Sequence, residues 1–193
     1  MIFHRYSTLL VSFFFLISCT YYSFKGSIPS HIKSINIKPL INNTIESGVS
    51  DILKGHLEEL IIKDNVLKIL SSENSDSFLN ITVTSFSDQP YSYNIDNYQI
   101  TGYEEVNEYR ITIKVRASWI DTLGKDPLFD LEFISWGAYD PDQDISSDGI
   151  DNDNDTFIDE LDDDEFGLPR ESAIRIASKK ICESIINKIV STW

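Results

Sequence analysis

The apolar positions of this chain recur with two different periods, and the switches between them predict its elements. Ile32, Ile35 and Ile37 stand among polar residues between His31 and Pro39, which predicts a first strand that Pro39 stops. Asn43 and Glu46 have the spacing of a helix N-cap and its N3 partner. Ile45, Val49, Ile52, Leu53, His56, Leu57, Leu60 and Ile61 then follow at helical spacing, with Gly48 and Gly55 weakening the helix. Val66–Leu70 reads as a short strand and Ser71–Ser77 as a polar turn. Phe78–Phe86 alternates, with Leu79, Ile81 and Val83 against Asn80, Thr82 and Thr84, Pro90 breaks the run, and Tyr91–Gly102 is tyrosine-rich and less regular. Tyr109–Trp119 is the cleanest strand. Ile111, Ile113, Val115 and Ala117 share one face, and Arg110, Thr112, Lys114, Arg116 and Ser118 the other. After a turn over Asp121–Pro127, Leu128–Trp136 returns as a further strand. A last helix opens at Pro169, with Glu171 near its positive end and Ile174, Ala177, Ile181, Ile185 and Ile189 as its stripe. The order β-α-β-β-β-β-α predicts one α+β domain: a mostly antiparallel or mixed sheet of four to five strands with two helices on one face.

The N-terminus has a different pattern. A head with His4 and Arg5 precedes the greasy run Leu9-Leu10-Val11-Ser12-Phe13-Phe14-Phe15, which is too short to span a bilayer as a mature helix. Leu16-Ile17-Ser18-Cys19 closes it and resembles a bacterial lipobox, in which Cys19 becomes the lipidated first residue. Residues 1–18 are then a signal peptide, 19–31 a tether and 32–193 the domain. An ordinary signal with a chance cysteine is the other reading. Thr20 stands where an Asp would often mean inner-membrane retention, so outer-membrane anchoring is expected. With Cys19 acylated, Cys182 has no disulfide partner and is expected to pack as a small hydrophobe.

Charge changes the picture once. The net charge is -15, yet 13 of the 31 Asp and Glu lie between Asp140 and Glu165, where there is no Lys or Arg. The remaining 18 face 16 basic residues, so the acidity is local and a nucleic-acid partner has no support. Inside the run, Asp151, Asp153, Asp155, Asp159 and Asp162 take positions 1, 3, 5, 9 and 12 of an EF-hand-like loop. Phe157 would offer its carbonyl at position 7, so that converging oxygens meet the needs of Ca²⁺. Thr156 replaces the turn glycine and Asp162 the bidentate glutamate, which predicts weak binding, in the ~0.1 to 1 mM class. Asp140, Asp142, Asp144, Asp148 and Asp151 repeat the register 11 residues earlier. A solvated acidic loop that binds nothing is the alternative.

Several stretches together resemble the LptE family of lipopolysaccharide-assembly lipoproteins. They are Cys19-x-x-Tyr22-Ser23-Phe24-x-Gly26 and Val83-Thr84-Ser85-Phe86-x-x-x-Pro90-Tyr91-x-Tyr93, followed by the Glu108–Asp121 strand and the Phe133–Tyr139 strand end. The last is the Ala173-Ile174-x-x-Ala177 helix that ends in Trp193. The resemblance covers most of the mature chain apart from the Asp-rich insertion at residues 140–165. It implies a periplasm-facing partner of the outer-membrane barrel LptD, which the lipoprotein plugs and stabilises while lipopolysaccharide is delivered to the outer leaflet. Arg110, Lys114 and Arg116 would then be candidate contacts for lipopolysaccharide phosphates, with a solvated sheet face as the plainer reading. Tyr91, Tyr93, Tyr98 and Tyr103 would line a barrel or lipid contact, or pack as an ordinary loop.

The family brings no catalytic motif. His31 and His56 are the histidines left after signal removal, and neither stands in a zinc-like or triad-like spacing. The expectation is a binding and assembly protein, not an enzyme. Its rival is a calcium-stabilised surface or adhesion lipoprotein not associated with a barrel.

Overall fold

A computed structural model describes residues 28–71, 74–95, 104–124, 127–141 and 168–191. They form β1 (Ser34–Ile37), β2 (Ile41–Asn42), α1 (Val49–Lys63), β3 (Lys68–Ile69), β4 (Ser77–Ile95), β5 (Glu104–Asp121), β6 (Pro127–Tyr139) and α2 (Pro169–Ser191). The sheet is mixed and six-stranded, in the order β3-β1-β4-β5-β6, with β2 pairing β4 off that path. β1 is parallel to both neighbours, whereas β4, β5 and β6 run antiparallel. The α+β expectation therefore holds, and the strand beyond the expected five is β2, a two-residue continuation of the β1 path along β4.

β5 alternates as its sequence predicts. Ile111, Ile113, Val115, Ala117 and Trp119 are fully buried, and both helices lie over that face. Each of the Ile and Val side chains contributes roughly 1.5 to 3 kcal/mol by leaving water. α2 brings Ile174, Ala177, Ile181, Ile185 and Ile189, and α1 brings Val49, Leu53, Leu57 and Ile61. Cys182 is buried beside them, its Sγ 3.4 Å from the Leu53 carbonyl oxygen, and burial pushes its thiol pKa up. It packs as the small hydrophobe its segment suggests. Gly137 lets β6 meet α2 closely: a Cβ there would overlap the Ala173 carbonyl.

Two boundaries differ from expectation. The Asn43/Glu46 cap is not used, and α1 begins at Val49 with Gly48 as its N-cap. The Asn42 side chain takes the segment first: its Oδ1 accepts from the Thr44 N–H and hydroxyl, and its Nδ2 donates to the Glu46 carbonyl. That turn leaves Ile45 fully exposed, outside the helical stripe. The far end of α1 has a Schellman closure. Asn65 adopts φ 48, its N–H donates to the Ile62 carbonyl and the Val66 N–H donates to that of Ile61.

The second difference is at Pro90, which does not end its strand; β4 runs on to Ile95. β1 and β2 pair β4 only as far as Val83, so Pro90 lies where β4 has β5 on one side and, among the described residues, no strand on the other. A proline is tolerated on such an edge because no ladder hydrogen bond is lost. Register shifts between Val83 and Ser85, and again around Pro90–Tyr93, absorb the irregularity.

Candidate functional site

The face of the sheet away from the helices carries most of the candidate chemistry. Arg110, Lys114 and Arg116 alternate with the buried residues of β5 and so share this open face. Their surroundings differ. Arg116 makes a two-pronged pair with Asp130 of β6, Nε to Oδ1 and the terminal nitrogen to Oδ2, each at 2.8 Å. These bonds hold the Asp130 carboxyl below its ordinary range and raise the guanidinium above its own. Lys114 lies in register between Ser85 and Ile134 and has no ion pair among the described residues.

Arg110 is held by aromatic rings. Its guanidinium carbon lies 3.3 Å from the Tyr91 ring centroid and 3.9 Å from that of Trp136. One residue from each of β4, β5 and β6 thus forms a single stack across the antiparallel strands. Arg110 Nε is enclosed without a hydrogen-bond acceptor, and its terminal nitrogen is 3.6 Å from Glu108 Oε1. Lys180 of α2 reaches past edge strand β6 to within 5.3 Å of the Trp136 ring. Trp136 and Lys180 were not among the sequence candidates. Their signal was weak: on the outer face of β6, Ile134 and Trp136 are apolar where Asp130 and Glu132 before them are charged.

On the helix side, at the same level of the sheet, Arg170 follows Pro169 into the first turn of α2. It donates from Nε to Asp88 Oδ2 at 2.8 Å and from its terminal nitrogen to Glu46 Oε2 at 2.7 Å. These two carboxylates push its pKa further up. The Tyr139 hydroxyl donates to the same Asp88, at 3.0 and 3.2 Å to its two oxygens. Burial, then Asp88, pushes the Tyr139 phenol up to about 12. The last residue of β6 and the second of α2 therefore meet on one carboxylate, closing a clasp at the base of the Asp-rich segment.

The other end of the sheet is saturated with polar contacts. Asp76 Oδ2 accepts from the Lys33 and Ser34 N–H groups and from the Ser34 hydroxyl, and these bonds lower its pKa. His31 Nε2 lies 2.7 Å from Asp121 Oδ2. Burial alone would raise the Asp121 pKa, but the Leu123 N–H and His31 outweigh it and bring it down. This arrangement joins the entry of the domain to the ends of β4 and β5.

Cys19 and the calcium-loop residues Asp151, Asp153, Asp155, Phe157, Asp159 and Asp162 lie outside the described residues, as do Tyr98 and Tyr103. Among the described residues no group of three or more His, Cys, Asp or Glu side chains has a metal-holding arrangement. None of their helices is long and apolar enough to cross a membrane.

The model of the family described as LptE, lipopolysaccharide-assembly, matches residues 32–189. The chain belongs to the LptE family. Protein XCC0632 from Xanthomonas campestris shares the fold, with a TM-score of 0.51 at 10% identity over 83% of this chain and 84% of that one. Rare lipoprotein B from Shewanella oneidensis aligns at 15% identity over 83% of this chain and 96% of its own, with a TM-score of 0.44. No curated protein sequence matches the chain. In this LptE-family member the matched span runs from strand β1 through helix α2, with the Asp-rich segment inside it.

Proposed function

We propose that this LptE-family chain is a non-enzymatic outer-membrane lipoprotein, acylated at Cys19 and facing the periplasm. It binds an LptD-like β-barrel and supports delivery of lipopolysaccharide to the outer leaflet. The observation that carries the reading is the family match over residues 32–189. The buried aliphatic core supports it, because such a core suits a rigid plug whose outer surfaces do the binding. Co-expression with the LptD-like barrel of the same organism, followed by affinity purification in detergent, is the test. The barrel, identified by mass spectrometry, should co-purify at near one to one; a chain recovered alone would sink the reading.

The Asp-rich segment is proposed to bind Ca²⁺ weakly through Asp151, Asp153, Asp155, Phe157, Asp159 and Asp162. The clasp favours this, since Tyr139 and Arg170 hold the two ends of the segment on one carboxylate and so reduce the entropy lost on closing a loop. Calorimetric titration should give saturable heat that Asp151→Ala with Asp153→Ala abolishes. No such heat below several millimolar Ca²⁺ would overturn it.

A further inference from the structure

Two long stretches of strand have no neighbour on one side among the described residues, and they are built differently. On β4 beyond Val83 the unpaired side carries Pro90 and register shifts beside it, devices that discourage another strand from adding. β6 has neither. It ends the strand order, pairs β5 without a register shift from Phe129 to Tyr139, and has its one proline at its first residue. Leu131, Ile134 and Trp136 on it are 43, 56 and 44% exposed. A long, regular edge strand with exposed apolar side chains is a template for pairing with another strand.

Charge selects which strand. The two halves of β6 differ in sign on the open face. Toward Pro127 stand Asp130 and Glu132; Arg116 gives its fork to Asp130, which leaves one negative charge over at Glu132. Toward Tyr139 stands Trp136, with the Lys180 ammonium 5.3 Å from its ring. Behind it on β5, Arg110 has Glu108 at 3.6 Å, and Lys114 adds a positive charge in register with Ile134. A strand with the same two halves, running the opposite way, sets acid beside lysine at both ends. That strand is β6 of a second copy. A lysine at an edge opposes the addition of an apolar strand, but self-pairing gives this one a carboxylate.

We propose that two copies of the chain pair antiparallel along β6 when no barrel partner is bound. The two-fold axis lies at Ile134 and keeps both open faces on one side. Ile134 then meets its own copy, and Glu132 lies opposite Trp136 of the second copy, beside that copy's Lys180. The contact is isologous, so each charge pair forms twice. The pairing does not rest on the family reading, and its test uses the full lipidated chain alone in detergent.

Sedimentation should show a monomer–dimer equilibrium. Glu132→Lys and Lys180→Glu should each weaken the dimer at least about tenfold, because like charges then meet, and the double exchange should restore it. Thermal melts at low concentration show whether the variants remain folded. Ile134→Cys should give a disulfide-linked dimer on mild oxidation, since partners across such a pair stand about 4.5 to 5.5 Å apart at Cα. Ile62→Cys, on the exposed side of α1, should not.

A chain that stays monomeric at every concentration, or a dimer indifferent to both charge changes, would overturn the pairing. So would disulfide dimers from position 62 and none from position 134. Outward-facing β6 amides that exchange slowly with deuterium in the monomer would overturn it too, because another part of the chain would then cover the edge. Each of these results leaves the barrel reading to its own co-purification test.

Discussion

Arg110 and Arg170 stand at the same level of the sheet, on opposite faces, and are held in opposite ways. Arg170 faces the helices and bonds two carboxylates and, through Asp88, the Tyr139 hydroxyl. Arg110 faces away from the helices, and its partners are two aromatic rings and a carboxylate 3.6 Å away. A charge fixed by directional hydrogen bonds stabilises the fold that positions it. A charge stacked between rings stabilises its strands a little; Arg110 itself is less exposed than Arg170, and it is the Tyr91 and Trp136 rings that stay open to water. The helix side of this end is therefore tied by directional hydrogen bonds, and the other side ends in exposed aromatic surface.

The sharpest way to break this contrast is to enlarge one residue on each face of β6. Gly137→Val places side-chain atoms into the Ala173 backbone and should destabilise the domain by about 3 kcal/mol, because a packed seam has to part. Ala138→Val, one residue on and facing the open side in register with Arg110, should change stability by less than about 0.5 kcal/mol. Urea melts measure both. Equal losses would mean that the open face is as tightly packed as the helix face.

The next comparison removes the arginines themselves. Arg170→Ala leaves Glu46 and Asp88 without their cation. Arg170 is 41% exposed, so solvent screening reduces the loss to about 1 to 2 kcal/mol. Arg110→Gln forfeits a cation–π stack at a half-open site, about 0.5 to 1 kcal/mol. A double-mutant cycle of Arg170→Ala with Asp88→Asn should show coupling, and one of Arg110→Gln with Asp88→Asn should not. Coupling in both cycles would mean that the two faces act as one network.

The strands were more legible in the sequence than the site. Period-two alternation predicted β5 because each buried residue is local information about one face. The stripe from Ile174 to Ile189 placed α2 for the same reason. Pro90 misled because whether a strand has a free edge depends on its neighbours, which lie 40 or more residues earlier in β1 and β2. Asn43 and Glu46 misled because Asn42 forms a turn first, and Glu46 is used by Arg170, 124 positions away. The basic row was legible and its neighbours were not. Stacking Tyr91 and Trp136 on Arg110 requires the registers of three strands together with a bulge, and no local pattern encodes that.

The last comparison concerns the Tyr139 proton. Its phenol is pushed up to about 12 in the folded chain, against about 10 for an unperturbed tyrosine, by burial and by Asp88 beside it. The folded state thus binds this proton more tightly than the unfolded state does. The contribution is fully present below pH 10 and is lost as the pH rises through 12. In the wild-type chain the melting temperature should therefore fall more steeply between pH 10 and 12 than in Tyr139→Phe, whose ring has no proton to lose. Titrations elsewhere in the molecule are common to both chains and cancel in the difference. Parallel curves over that interval would show that the Tyr139 hydroxyl is not tied to Asp88, and the clasp would then rest on Arg170 alone.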